Sequence, residues 1–133
     1  METIEIKQKT VTLHVSESCI DTPAFTKVKL TGARFFDVAM DNVTIRDANM
    51  SDLEIEYAQL GGAYIHNIGL PPVGHPMHRP GEKMRPMRFE DCQLTKSTFT
   101  NCDLEGVEIT DCNLAGMKIN GILVEELLKK YKG

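Results

Sequence analysis

Large apolar side chains recur at every fifth position along most of this chain. Phe25, Leu30, Phe35, Met40, Ile45, Met50, Ile55, Leu60, Ile65 and Leu70 set the beat, which resumes in a new phase as Phe89, Leu94, Phe99, Leu104, Ile109, Leu114 and Ile119. Phe, Leu, Ile and Met make up 33 of the 133 residues, so an unbroken series of this length arises by chance about once in ten billion, before choice of phase. A period of five fits neither the helix at 3.6 nor the strand at 2. That excludes an ordinary amphipathic element over roughly residues 23–121 and leaves a coiled solenoid.

The other positions of each five agree. Two residues before the large side chain stand small or medium ones, among them Val28, Ala33, Val38, Ala48, Ala58, Cys92, Cys102 and Cys112, as a second and tighter inward position requires. Two residues after it, thirteen of sixteen sites hold Gly, Asp or Asn, the exceptions being Lys27, Tyr57 and Lys96. These residue types tolerate tight turns and positive φ, so each five reads as inward-small, outward, inward-large, then a corner.

At this point the chain resembles the pentapeptide-repeat family, most closely in Ala48-Asn-Met-Ser-Asp52, Cys102-Asp-Leu-Glu-Gly106 and Cys112-Asn-Leu-Ala-Gly116. The resemblance implies an all-β solenoid: a right-handed four-sided parallel β-helix with one five per side, twenty residues per coil and about four coils. It departs from the family pattern where the Asp or Asn before the large residue is replaced, as at Lys29, Arg34, Ala39, Thr44, Glu54, Gln59, Tyr64, Arg88, Gln93 and Thr98. That position faces outward, so the departures are expected to alter surface and not core.

The phase breaks once, between Leu70 and Phe89, by an insertion of fourteen residues. Five of the six prolines fall in 71–86, and they disfavour both helix and ladder pairing. Residues 71–88 carry Arg79, Lys83, Arg85 and Arg88 against Glu82, a net of +3 in a chain whose total is -4. Residues 37–56 and 90–111 are each net -5. The expected picture is an acidic coil body bearing one basic flap. Two readings stay open: carboxylates that only keep a solenoid wetted, with the flap folded back on them, or a wall and flap that bind a partner.

A single domain over 1–133 is expected: an N-terminal β cap at 1–19, repeats at 20–70, the inserted Pro-rich loop at 71–86, repeats at 87–121 and a C-terminal helix at 122–133. Caps matter because a solenoid exposes unpaired edges at both ends. Alternation in Ile4, Ile6, Val11, Leu13 and Val15 predicts one or two strands over the first coil. Leu123, Leu127, Leu128 and Tyr131 fall on one face of the helix, which either caps its own coil or meets a second copy, so a homodimer through this helix or an end of the solenoid is one expected assembly.

Chemistry finds little purchase. There is no Gly-rich phosphate cradle, nucleophile elbow or zinc-protease motif, and corner carboxylates lack the burial that would fit them for acid–base work. His75 and His78 invite a metal reading, but Pro76 prevents a helical arrangement and no third ligand stands near them. Four cysteines without a secretory leader read as reduced thiols, and no apolar stretch has the length of a membrane span. The expectation is therefore a cytoplasmic, non-enzymatic protein without catalytic residues, cofactor or metal. It is a scaffold or interaction module for an unidentified protein partner, away from membranes and without direct nucleic-acid binding. The expected contact residues are His75, Met77, His78, Arg79, Lys83, Met84 and Arg85 of the loop, with outward Phe36 and Tyr57 on one wall. The alternative that the resemblance implies is a DNA-mimicking modulator of a topoisomerase such as gyrase, of the quinolone-resistance type. A stub of four coils and a basic loop depart from that group.

Overall fold

In the computed structural model, which describes residues 2–133, the five-residue beat is written into the backbone at the corners. All sixteen corner sites have positive φ, including the three that carry Lys27, Tyr57 and Lys96. The series also runs further back than the hydrophobic count, through Thr22 (φ 49°) and Glu17 (φ 49°). Ile20 and Val15 accordingly continue the large apolar positions into the segment that alternation alone assigns to a cap.

The corners are of two kinds, and from Lys27 onward they alternate. At Gly32, Asp52, Lys96, Gly106 and Gly116 the corner is closed by a backbone bond from the residue after it to the large apolar residue before it. Examples are Ala33 N–H to Leu30 O at 3.4 Å and Val107 N–H to Leu104 O at 3.1 Å. A positive φ confined to the third residue makes these type II β-turns. Asn42 and Gly62 are turns in the same series. Between them lie open bends at Lys27, Asp37, Asp47, Tyr57, Asn67, Asp91, Asn101 and Asp111, with φ of 50–54° against 58–78° at the turns. Every glycine corner within the alternating series belongs to the turn class, because the larger φ moves a Cβ closer to the carbonyl that follows it. The sequence period of five is thus a structural period of ten.

The consensus Asn or Asp has a job at the turns that an outward position alone does not suggest. Asn49 Oδ1 accepts from Ser51 N–H at 3.1 Å, Asp103 Oδ1 from Glu105 N–H at 3.0 Å and Asn113 Oδ1 from Ala115 N–H at 3.1 Å. Departures that precede a turn, at Lys29, Ala39, Gln59 and Gln93, therefore leave out this hydrogen bond, whereas those that precede a bend change the surface.

Two expected features are not formed among the described residues. The parallel ladder between coils is absent, and residues 2–16 contain no paired strand. Corners are set within each five residues, whereas a ladder needs partners twenty apart. The large apolar side chains at the inward positions from Phe25 to Leu70 are accordingly 40–66% exposed. The two units into which the chain divides, Met1–Gly61 and Gly62–Gly133, each follow the same corner rule. Within the first, residues 11–14 and 31–34, twenty apart, line the two sides of one shallow groove.

Regular pairing occurs at the C-terminal end. Strand β1 (Lys118–Ile119) pairs antiparallel with β2 (Ile122–Leu123) across Asn120-Gly121. Both turn residues have positive φ, 47° and 80°, as a type I′ hairpin demands. Helix α1 (Val124–Lys132) follows at once, so the helix starts two residues later than expected and Leu123 belongs to a strand. Val124 N–H donates to Met117 O at 3.0 Å, Gly116 N–H donates to Glu125 Oε1 at 3.0 Å, and Val124 is the one buried apolar side chain among the described residues. Glu125 and Glu126 in the first turn and Lys129, Lys130 and Lys132 in the last suit the helix dipole.

Candidate interaction surface

Two features of the loop follow from where it enters the corner series. Asn67 before it and Asp91 after it are both bends, and from Lys27 onward the bend corners otherwise stand ten apart with one turn between them. The inserted fourteen residues therefore enlarge a single turn corner, leaving the alternation on either side undisturbed.

The loop is built from successive reversals. His75 N–H bonds to Pro72 O at 3.0 Å, His78 N–H to His75 O at 2.9 Å and Glu82 N–H to Arg79 O at 3.3 Å. Gly74 (φ 93°) and Gly81 (φ 78°) supply the left-handed positions in the first and third. His78 Nδ1 lies 2.9 Å from Pro71 O, so a side chain ties together residues seven apart and closes the segment 71–78. Pro71 and His78 are half-buried while their neighbours are exposed.

These bonds assign the two imidazoles opposite roles. Met77 N–H donates to His75 Nδ1 at 3.1 Å, so that nitrogen carries the lone pair and the neutral ring keeps its proton on Nε2. A carbonyl only accepts, so His78 Nδ1 carries a proton, and in the neutral ring its Nε2 holds the lone pair. One histidine thus presents a donor and the other an acceptor. A chelate through both Nε2 atoms would require His75 to give up its bond to Met77, and no group of three or more metal-ligating side chains occurs among the described residues.

The remaining loop residues divide by charge. Arg88 is paired with Glu90 at 2.6 Å and Arg85 has an interaction of its own. Arg79 and Lys83 stand outside any ion pair among the described residues. Met77 and Met84 are exposed. Of the aromatics expected on one wall, Phe36 is 91% exposed and precedes the bend at Asp37. Tyr57, fully exposed, is itself a bend corner with φ 53°. No ring contact joins them among the described residues. The ring pair that does form is Tyr64 with His66, stacked at 4.0 Å and 13°. Alternation about inward Ile65 places both on one outward face, a signal present in the sequence.

The cysteines also take a local role. Cys92, Cys102 and Cys112 each follow a bend, and their thiols donate to Glu90 O, Thr100 O and Thr110 O at 3.2, 3.5 and 3.2 Å. Each bond straddles a corner that lacks a backbone bond of its own. All four cysteines are free thiols.

Residues 88–122 match the family model described as pentapeptide repeats (8 copies). No curated protein and no solved structure matches the chain.

Proposed function

We propose that this pentapeptide-repeat protein is a protein-interaction module without chemistry of its own, whose loop at 71–86 and acidic outer wall form the contact surface for a protein partner. The observation that carries this reading is the loop's construction. It enlarges one turn corner, ties Nδ1 of each histidine to its own backbone, and leaves Arg79, Lys83, Met77 and Met84 available. Charged groups set approach and register, and methionine supplies adaptable apolar contact. Phe36 and Tyr57, on the first unit, are a separate exposed aromatic contact.

The scaffold in this reading is a right-handed, four-sided coil of about four turns. Support comes from left-handed corners at every fifth residue, their alternation in tens, and the groove whose two sides are twenty residues apart. Closing the coil would cover the inward stripe and pair its strands at about 4.8 Å. The stripe Leu127, Leu128 and Tyr131 of α1 is a second contact, through which two copies associate. No helix of the described residues is long and apolar enough to cross a membrane, and we place the protein in the cytoplasm.

Removing residues 72–85 tests the reading, because it restores a five-residue step from Leu70 to Phe89. The shortened chain is expected to keep its circular-dichroism spectrum and thermal midpoint and to lose partner capture from host lysate. Retention of the same partner by the shortened chain would overturn the assignment to the loop.

A further inference from the structure

The geometry points to an acidic peptide segment as the class of partner that the loop takes. The inference rests on the loop being the contact surface and specifies what binds there. Within 71–88 the net charge is +3 in a chain otherwise net -7. Arg88 is engaged by Glu90 at 2.6 Å, whereas Arg79 and Lys83 flank a single chain reversal, closed by Glu82 N–H to Arg79 O at 3.3 Å. Arg79 opens this turn and Lys83 directly follows it, so the two cations leave the chain at either end of one reversal and suit carboxylates carried at short spacing on one chain.

The histidines decide between a peptide and a bare polyanion. Both Nδ1 atoms are bound to loop backbone, by Met77 N–H at 3.1 Å and Pro71 O at 2.9 Å, so each ring turns its Nε2 edge away from those bonds. His75 offers an Nε2–H, which a carboxylate accepts. The neutral His78 ring offers an Nε2 lone pair, which a donor satisfies. A peptide provides both, carboxylates on its side chains and N–H groups on its backbone. A phosphate chain provides acceptors alone, so it meets the His78 Nε2 only with that ring protonated, whereas a peptide can meet the neutral ring as well. Two cations, one donor and one acceptor on consecutive turns thus match an extended acidic segment better than they match phosphate.

Fluorescence anisotropy of the full chain tests this with three probes: a labelled Glu/Gly peptide, its Gln/Gly counterpart and labelled polyphosphate. The Glu/Gly peptide is expected to bind, less tightly as salt is raised, with the Gln/Gly peptide failing and polyphosphate weaker. Arg79→Ala and Lys83→Ala each weaken binding about threefold and together about tenfold, the range of exposed charge pairs. His75→Asn keeps the turn, because an Asn side chain accepts the N–H two residues on. It removes the Nε2–H and weakens binding about twofold. Equal binding of the Gln/Gly peptide, full affinity in the double variant, or polyphosphate binding as tightly as peptide each overturns the inference. If the Glu/Gly peptide fails to bind while removal of 72–85 still abolishes partner capture, the acidic-peptide inference falls and the loop remains the contact surface.

Discussion

The two runs of repeats share their corners and differ in how those corners are tied. From Glu17 to Asn67 the fifth residue is left-handed at every step, as it is from Asp91 to Gly116. Only the second run ties its bends with thiols, at Cys92, Cys102 and Cys112, where the first run has Val28, Val38, Ala48, Ala58 and Ile68. Side-chain acceptors at the turns are likewise concentrated there, Asp103 and Asn113 against Asn49 alone. Turn bonds are also shorter in the second run, 3.0–3.1 Å against 3.2–3.4 Å in the first, although Ser97 N–H to Leu94 O reaches 3.0 Å without an Asn or Asp at position 93. Left-handed corners come from the spacing of the inward residues and survive Lys or Tyr. Tying them requires particular side chains.

The largest effect that separates these contributions is expected at the glycine corners. At Gly32 and Gly106 a Cβ would meet nothing within 4 Å, so the cost of alanine is backbone strain alone, about 1–2 kcal/mol at each position. Urea denaturation of Gly32→Ala and Gly106→Ala checks this. A cost confined to Gly106 would show that the first run does not share the corner geometry in solution. Next in size is the turn acceptor. Asn113→Ala should destabilise by about 1 kcal/mol, and Lys29→Asn should stabilise by roughly half that, since it supplies the missing acceptor. If Lys29→Asn changes nothing, the difference in turn bonds between the runs has another origin. Smallest is the thiol tie: Cys112→Val should cost about half a kcal/mol or less, because a thiol is a weak donor and valine keeps the bulk. A loss several times larger by thermal melting would make the bend bonds a principal restraint of the second run.

The corners were legible in the sequence down to their exceptions, since Lys27, Tyr57 and Lys96 take positive φ despite their side chains. The beat spaces the corners, and steric preference at a corner is weaker than the demand that two flanking residues face inward. The alternation of turns and bends left a trace in the glycines at 32, 62, 106 and 116, all in one class. The hairpin at Asn120-Gly121 carried a standard signal for a two-residue turn, masked by Ile119 falling on the beat. The loop was visible as a break, by its prolines and charge. Its histidine roles were not, because they depend on how each ring is turned and on a bond from His78 to a carbonyl seven residues away. The ladder expected over the first coil depends on pairing at a distance, which periodicity does not report.

The placement of the loop has a consequence for engineering. Since it begins and ends at one turn corner, with bends at Asn67 and Asp91 undisturbed on either side, that corner is an insertion port. Doubling the length of a flexible insert there costs only about 0.6 kcal/mol in closure entropy. Foreign binding segments can be grafted between Pro71 and Pro86 while the register of the repeats on both sides is kept, provided the splice preserves the step from Leu70 to Phe89.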